Sequence, residues 1–218
     1  LIMLLLDAAG FFLVALYIMQ VRPGEYGVPQ TRKRLVLLAS RLGPIKLQRR
    51  RLAKPATVAR SIRRLPGLKA GEVDERDAMH HACDLSMLNL KRIRASTPGG
   101  SWRDWPDQLR AECHKKDSGE TYPSVYGRME WERPAPTMTT QCFGYGNGRF
   151  GHPEQDRAIT LREAAMLQTF PRSYRFLPKG EKIVFHVMGR LIGNAVPVEL
   201  AKSIGREFAK HVRAHKSP

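Results

Sequence analysis

The stretch YGVPQTRKRLVLLAS, Tyr26 to Ser40, places Gln30, Arg32, Lys33 and Arg34 at the mouth of the apolar run Leu35 to Ala39. Such a run of branched and aliphatic side chains reads as a strand. Alternation along a strand then sets Gln30, Arg32 and Arg34 on one face. A carboxamide and two guanidiniums pointing together form a fork of donors, suited to a carbonyl oxygen or a phosphate. Upstream, Phe11 to Val21 reads as a second strand, and Arg22 to Gly27, with Pro23-Gly24, as a turn. The two strands form a hairpin at a sheet edge. Leu1 to Ala9 reads as the end of a helix that closes at Ala8-Ala9-Gly10. A helix followed by such a hairpin indicates the tail of an α/β sheet.

Charge narrows the partner. Across 218 residues, 37 Lys and Arg face 20 Asp and Glu, a net of +17. This excess favours a polyanion: nucleic acid or an anionic membrane surface. From Arg32 to Gly71 there are 13 Lys or Arg and no acid, including Arg49, Arg50 and Arg51 in succession. A block of one sign repels itself unless something anionic lies across it. With 42% hydrophobic residues the chain carries enough apolar surface to fold. The first 19 residues are nearly all apolar. Asp7 interrupts them, however, and would cost about 3 kcal/mol at mid-bilayer, so the run reads as buried protein and no membrane partner is expected. Three cysteines, Cys83, Cys113 and Cys142, lie far apart without a CxxC pair. That pattern suits a reducing cytoplasm rather than a disulfide framework. With His80, His81 and His114 they match no zinc spacing, so no metal is expected.

Beyond the hairpin, residues 41–156 read as a basic linker and a small loop-rich module, and residues 157–218 as a return to regular structure. Within the module, Thr57 to Leu65 and Leu88 to Arg94 suggest short helices, and Thr121 to Tyr126 and Thr137 to Phe143 short strands. Three tryptophans and the glycine-rich FGYGNGRFG fill the loops. Loop-rich modules of this kind carry recognition. Cationic and aromatic residues between Trp102 and Arg149, with Arg128 and Arg149 among them, are candidate contacts to a polyanion. Thr160-Leu-Arg-Glu163 is a capping box. Gly193-Asn194 reads as a tight turn and Pro197 as the start of a last helix. The apolar face of that helix is expected to be Val198, Ala201, Ile204, Gly205 and Phe208.

Taken together, YGVPQTRKRLVLLAS resembles the Gln-x-Arg-x-Arg motif of the DNA cytosine-5 methyltransferases. PAPTMTT followed by RAITLREAAMLQTFPRSYRF resembles that family's Arg-Glu-x-Ala-x-x-Gln-x-Phe-Pro segment. GRLIGNAVPVELAKSIG resembles its closing Gly-Asn-x-Val-Pro motif and helix. The three stand in the family's order, and residues 41–156 occupy the place of its target-recognition domain. The resemblance implies the C-terminal part of a Rossmann-like, S-adenosylmethionine-dependent methyltransferase sheet (residues 1–40 and 157–218) with that domain inserted. It implies double-stranded DNA as the partner and a cytosine swung out of the duplex. A cysteine thiolate attacks C6 and C5 takes the methyl group. By resemblance Arg34 donates to the cytosine O2, Arg32 orders the catalytic loop or a phosphate, and Gln30 fixes the strand geometry. Asn194, Ala195 and Val196 line the S-adenosylmethionine pocket. Arg162 and Glu163 are structural and tie the recognition domain to the catalytic core.

The departures matter equally. The cysteines stand in HAC, AEC and TQC, so none forms the family's Pro-Cys nucleophile. The Glu-Asn-Val segment and the glycine-rich cofactor turn are not found either; DAAGFF does not supply the latter. The chain is expected to be a C-terminal fragment, from a truncated gene, or one subunit of a split enzyme whose N-terminal partner chain carries those motifs. On either account it is inactive alone, with an incomplete cofactor pocket. The rival is a non-catalytic, sequence-specific DNA-binding module, restriction-linked or not.

Overall fold

In the computed structural model, which describes residues 2–6, 13–48, 56–178 and 180–215, the chain begins as a three-stranded antiparallel sheet in the order β1-β2-β3. β1 is Ile2–Leu6, β2 is Leu13–Val21 and β3 is Arg34–Ser40. The helix expected at Leu1 to Ala9 is therefore a strand where it is described. Leu, Met and Ile satisfy either periodicity, and the ladder to β2, from Ile2 opposite Tyr17 to Leu6 opposite Leu13, decides it. The helix end read at Ala8-Ala9-Gly10 lies outside the described residues, as do Arg49, Arg50 and Arg51.

β2 and β3 form the expected hairpin, with Val21 opposite Arg34 and Ala15 opposite Ser40. Their connection is a 3-10 turn, Pro23–Tyr26, closed by Gly27 at φ 87°, a conformation that glycine adopts without Cβ strain. Four short α-helices follow the hairpin: α1 Val58–Ile62, α2 Met87–Ala95, α3 Leu161–Leu167 and α4 Phe185–Asn194. A long helix, α5 Val198–Ala214, follows them. A small hairpin, β4 Val73–Asp74 with β5 Asp77–His81, lies between α1 and α2.

α5 lies across one face of the first sheet. Leu200, Ile204 and Phe208 pack with Val21, Tyr26, Val36 and Leu38. The inward stripe thus steps by four residues from Leu200. Ala201 and Gly205, expected inward, are exposed. The opposite sheet face stays open: Leu35 and Leu37 are 72% and 58% exposed, and Ile18, paired with Leu37, is 38% exposed.

The main core joins residues of the 56–156 stretch to those of α3 and α4. Val58, Ile62, Met79, Met129, Met138 and Phe150 share it with Leu161, Leu167, Met188 and Ile192. A second core, built on Ile93, Trp102, Trp105 and Tyr145, holds the loop-rich region. Ser96 Oγ is its hub, accepting from Trp105 Nε1 at 2.9 Å and contacting the Tyr145 hydroxyl at 2.9 Å.

Two stretches expected as strands, Thr121 to Tyr126 and Thr137 to Phe143, form turns and irregular chain. Their backbone groups find partners outside any ladder: Met138 N–H donates to Gln30 Oε1 and Cys142 N–H to Thr139 O. No helix among the described residues is long and apolar enough to cross a membrane. Among them no cluster of three His, Cys, Asp or Glu could hold a metal.

Candidate functional site

Burial alternates without interruption from Gln30 to Leu38, although the regular strand begins only at Arg34. Gln30 is 3% exposed, Thr31 and Lys33 face solvent, and Arg32 and Arg34 are half-buried. Every polar atom of the Gln30 carboxamide is engaged. Its Nε2 donates to Leu167 O at 3.1 Å and to Gln168 Oε1 at 2.9 Å; its Oε1 accepts from Met138 N–H at 3.4 Å. Gln30 therefore pins the mouth of β3 to the end of α3 and to the Ala135–Met138 segment, reinforced by Ala135 N–H donating to Pro29 O at 2.7 Å.

Two residues along, Arg34 reaches the turn between α4 and α5. Its Nη2 donates to Ala195 O at 3.0 Å, and its Nε is buried without a partner among the described residues. Burial, followed by the neighbouring Arg32 charge, holds its basicity below the ordinary guanidinium value; the group remains a cation. Arg32, Lys33, Arg34, Leu35, Val36, Val196, Leu200 and Ile204 line an open cavity of about 380 Å³. Gly193 and Asn194, expected as a tight turn, are the last two residues of α4; the turn proper is Ala195 to Pro197. Asn194 and Val196 are exposed.

The sequence reading missed Gln168 and Thr169 as organisers. Gln168 Nε2 donates to Ile192 O at 2.8 Å, while its own carbonyl accepts from Val198 N–H at 3.1 Å. Thr169 sits at φ 63°, a conformation that costs a β-branched residue about 1–3 kcal/mol. There its Oγ1 accepts from Glu199 N–H at 3.0 Å. Two of the amides that a helix N-terminus leaves unpaired are thus satisfied. The Gln-x-Phe-Pro motif held the signal for Gln168; nothing local marked Thr169.

Arg162 and Glu163 do not line this cavity. Arg162 grips both carboxylate oxygens of Asp77 in β5 and donates to Tyr174 O at 3.0 Å. Glu163 accepts from Arg157 at 2.7 and 2.8 Å and from Thr160 N–H at 2.7 Å, completing the capping box. Burial raises the Glu163 carboxyl, but the Arg157 contacts outweigh it and hold the group below the usual range. Arg128, expected to face DNA, is a brace instead. It is 5% exposed and donates to Ile93 O, Ser96 O, His152 O, Gln155 O and the Asp156 carboxylate. Five acceptors from two segments, 93–96 and 152–156, engage four of its five N–H donors, and its burial closes the group to a phosphate. Arg149 is half-buried and donates to Gly100 O and Arg128 O.

His152 adds a pH-sensitive member to this network. Its Nδ1 accepts from Glu154 N–H and Gln155 N–H at 3.2 and 2.9 Å, so the neutral ring carries its proton on Nε2. Burial pushes its pKa down to about 4; Glu163 opposes this, and Arg157, Arg128 and His80 assist it. The unfolded chain binds this proton near pH 6.5 and the folded chain only near pH 4. Stability therefore falls as pH drops through that window, by about 1.4 kcal/mol per unit. Urea unfolding at pH 7, 6 and 5 is expected to show the decline, and a His152→Gln variant to flatten it. Equal slopes in the two proteins contradict this assignment.

The sequence profile of the C-5 cytosine-specific DNA methylase family spans residues 5–210. The chain belongs to that family. It is 56% identical over 191 residues to the type II methylase M.HgiDII of Herpetosiphon aurantiacus, an alignment covering 87% of this chain and 52% of the relative. M.PspPI, a type II methyltransferase of Psychrobacter sp., is 30% identical over 194 residues, covering 87% of this chain and 44% of the relative. The chain thus spans about half the length of these curated relatives. A protein encoded within an Escherichia coli prophage, named as a DNA modification methyltransferase, superimposes with a TM-score of 0.65 at 18% identity over 94% of this chain and 62% of its own. Spodoptera frugiperda DNMT2 gives 0.51 at 19% identity, over 90% and 58%. The fold is the α/β methyltransferase fold.

Proposed function

We propose that this chain forms the base-holding and cofactor-closing half of a DNA cytosine-5 methyltransferase, and that methyl transfer requires a further polypeptide segment carrying the nucleophile. The observation that carries this is Arg34. One of its nitrogens is fixed on Ala195 O, and its Nε is buried without a partner beside an open cavity. A buried donor left unpaired costs about 1–3 kcal/mol, and an acceptor entering the cavity repays it. The O2 of a flipped cytosine is such an acceptor, and a donor there steadies the negative charge that builds on the ring during attack. Arg32 adds positive potential at the cavity rim, suited to a phosphate or to the catalytic loop.

Asn194 and Val196 present an exposed carboxamide and an exposed apolar side chain beside the Ala195 turn. That pairing fits one edge of S-adenosylmethionine, which supplies the methyl group when bound. The chain's own thiols do not fit the nucleophile's role. Cys142 is buried with its pKa pushed up to about 12, and burial raises Cys83 to about 11. Cys113 sits on an exposed turn of the loop-rich region. A nucleophilic cysteine needs thiolate character near neutral pH. The open face at Ile18, Leu35 and Leu37 fits the apolar side of the missing segment, since an α/β sheet is covered on both faces.

The test is methyl transfer from labelled S-adenosylmethionine to duplex DNA. The purified chain alone is expected to give no turnover; turnover above background overturns the requirement for a second segment. Supplying a polypeptide with the Pro-Cys, Glu-Asn-Val and glycine-rich segments is expected to restore activity. In that mixture Arg34→Ala should lower kcat by about 10²–10³. The chain alone should bind duplex DNA with strong salt dependence, as phosphate neutralisation releases counterions. Affinity unchanged between low and high salt counts against a DNA partner.

A further inference from the structure

A second cationic cleft lies apart from the Arg34 cavity, and no motif of the sequence reading assigned it a task. It is open, about 720 Å³, and is lined by Arg76, Asp77, Arg162, Arg172, Tyr174 and Arg175 among others. Four arginines there face one aspartate. The aspartate is already committed: Asp77 is gripped by both arms of Arg162. Through Tyr174 O, the same guanidinium ties the loop after α3 to the β4–β5 hairpin. Its positive charge is thus neutralised locally, and its work is to hold the two walls of the cleft together.

The other three cations remain at the rim. Arg76 is 80% exposed, with only a 3.3 Å contact to Asp74. Arg172 and Arg175 are exposed, and neither forms an ion pair among the described residues. Between them Tyr174 is 46% exposed, yet it is not loose. Its ring rests on Phe170 at 5.0 Å and on Phe176 at 4.8 Å. Two unpaired guanidiniums flanking a braced, solvent-facing phenol, with Arg76 opposite, form a surface for a polyanion. Each guanidinium offers a fork that matches two oxygens of a phosphodiester. The phenol offers a flat face and a hydroxyl to the adjoining sugar.

We propose that this cleft is a backbone-phosphate clamp for duplex DNA, distinct from the residues that hold the target base. The inference rests on the DNA-acting reading above and adds a second anchoring point. Phosphate contacts position a protein on the duplex without reading sequence. Losing the clamp is therefore expected to weaken binding to related and unrelated duplexes alike.

The test is duplex binding by the full chain, measured against salt concentration. Arg172→Gln with Arg175→Gln removes two phosphate contacts, which should shrink the slope of log K against log salt by about 2. Both side chains are exposed and unpaired, so the thermal unfolding midpoint should not move. Arg206→Gln with Arg213→Gln, exposed on α5, changes net charge equally and should leave the slope nearly intact. An unchanged slope in the Arg172/Arg175 variant overturns the clamp, as does an equal loss in the α5 variant. Absence of duplex binding by the unsubstituted chain overturns the DNA-acting reading as well, so the two failures are distinguishable.

Discussion

Glu163→Gln is expected to cost about 3–5 kcal/mol of folding stability, the range for breaking a buried ion pair from one side. The pair is among the driest in the protein, with Arg157 and Glu163 side chains 0% and 1% exposed. Glutamine keeps the shape and can still accept from Thr160 N–H, so the capping box survives in part. What is lost is the countercharge. Arg157 would remain a buried cation among neutral acceptors, Gln155 Oε1 at 2.8 Å and Ala158 O at 3.0 Å among them. A guanidinium cannot shed its proton to escape, so the penalty falls on folding. Against a typical total of about 5–15 kcal/mol, the variant should unfold at a much lower urea concentration with little change in slope. Combining it with Arg157→Met removes the stranded charge and should recover part of the loss. A Glu163→Gln effect below about 1 kcal/mol, or no recovery in the double variant, contradicts the account.

That pair also shows where the sequence was readable. Thr160-Leu-Arg-Glu163 announces a capping box because both partners lie within one turn, and the box forms at that position. The Gln30-x-Arg32-x-Arg34 alternation is legible for the same reason: a period of two needs only neighbouring residues. Arg157, the third member of the Glu163 site, carries no local mark. Arg128 fails more sharply. A cation in a loop-rich, basic region reads as a DNA contact, yet its acceptors lie 24 to 35 residues away and enclose it. The β1 strand was read as helix because its ladder partner, not its composition, decides the matter. Gly193-Asn194 was read as a turn from a dipeptide that favours turns. There the glycine serves packing, a reason visible only once a distant segment is in place.

Gly193→Ala tests that reason. A Cβ on Gly193 would stand 2.4 Å from both the carbonyl carbon and oxygen of Thr139, and 2.6 Å from Thr140 N. One turn earlier, a Cβ on Gly189 would meet Phe143 at 2.4 Å and Thr140 O at 2.6 Å. The two glycines make a groove in α4 that receives the backbone of Thr139 and Thr140 and the ring of Phe143. Backbone atoms cannot swing aside as a side chain can, so the helix must move instead. Overpacking usually costs about 1–3 kcal/mol, occasionally more, and contact with rigid backbone on this scale belongs at about 3 kcal/mol or above. The C-terminal end of α4 carries Ile192 O, the acceptor for Gln168, and leads into Ala195 O, the acceptor for Arg34. Displacing it should separate Arg34 from the turn and abolish binding of labelled S-adenosylmethionine, and methyl transfer, in the reconstituted enzyme. Gly205→Ala is the matched control. It lies in α5 with no atom within 4 Å of its would-be Cβ, where alanine should stabilise by about 0.4–1 kcal/mol. One substitution, made in two helices of the same chain, is thus expected to change stability with opposite signs in urea unfolding. Equal effects would mean that the groove in α4 has room to spare and that the turn holding Arg34 does not depend on it.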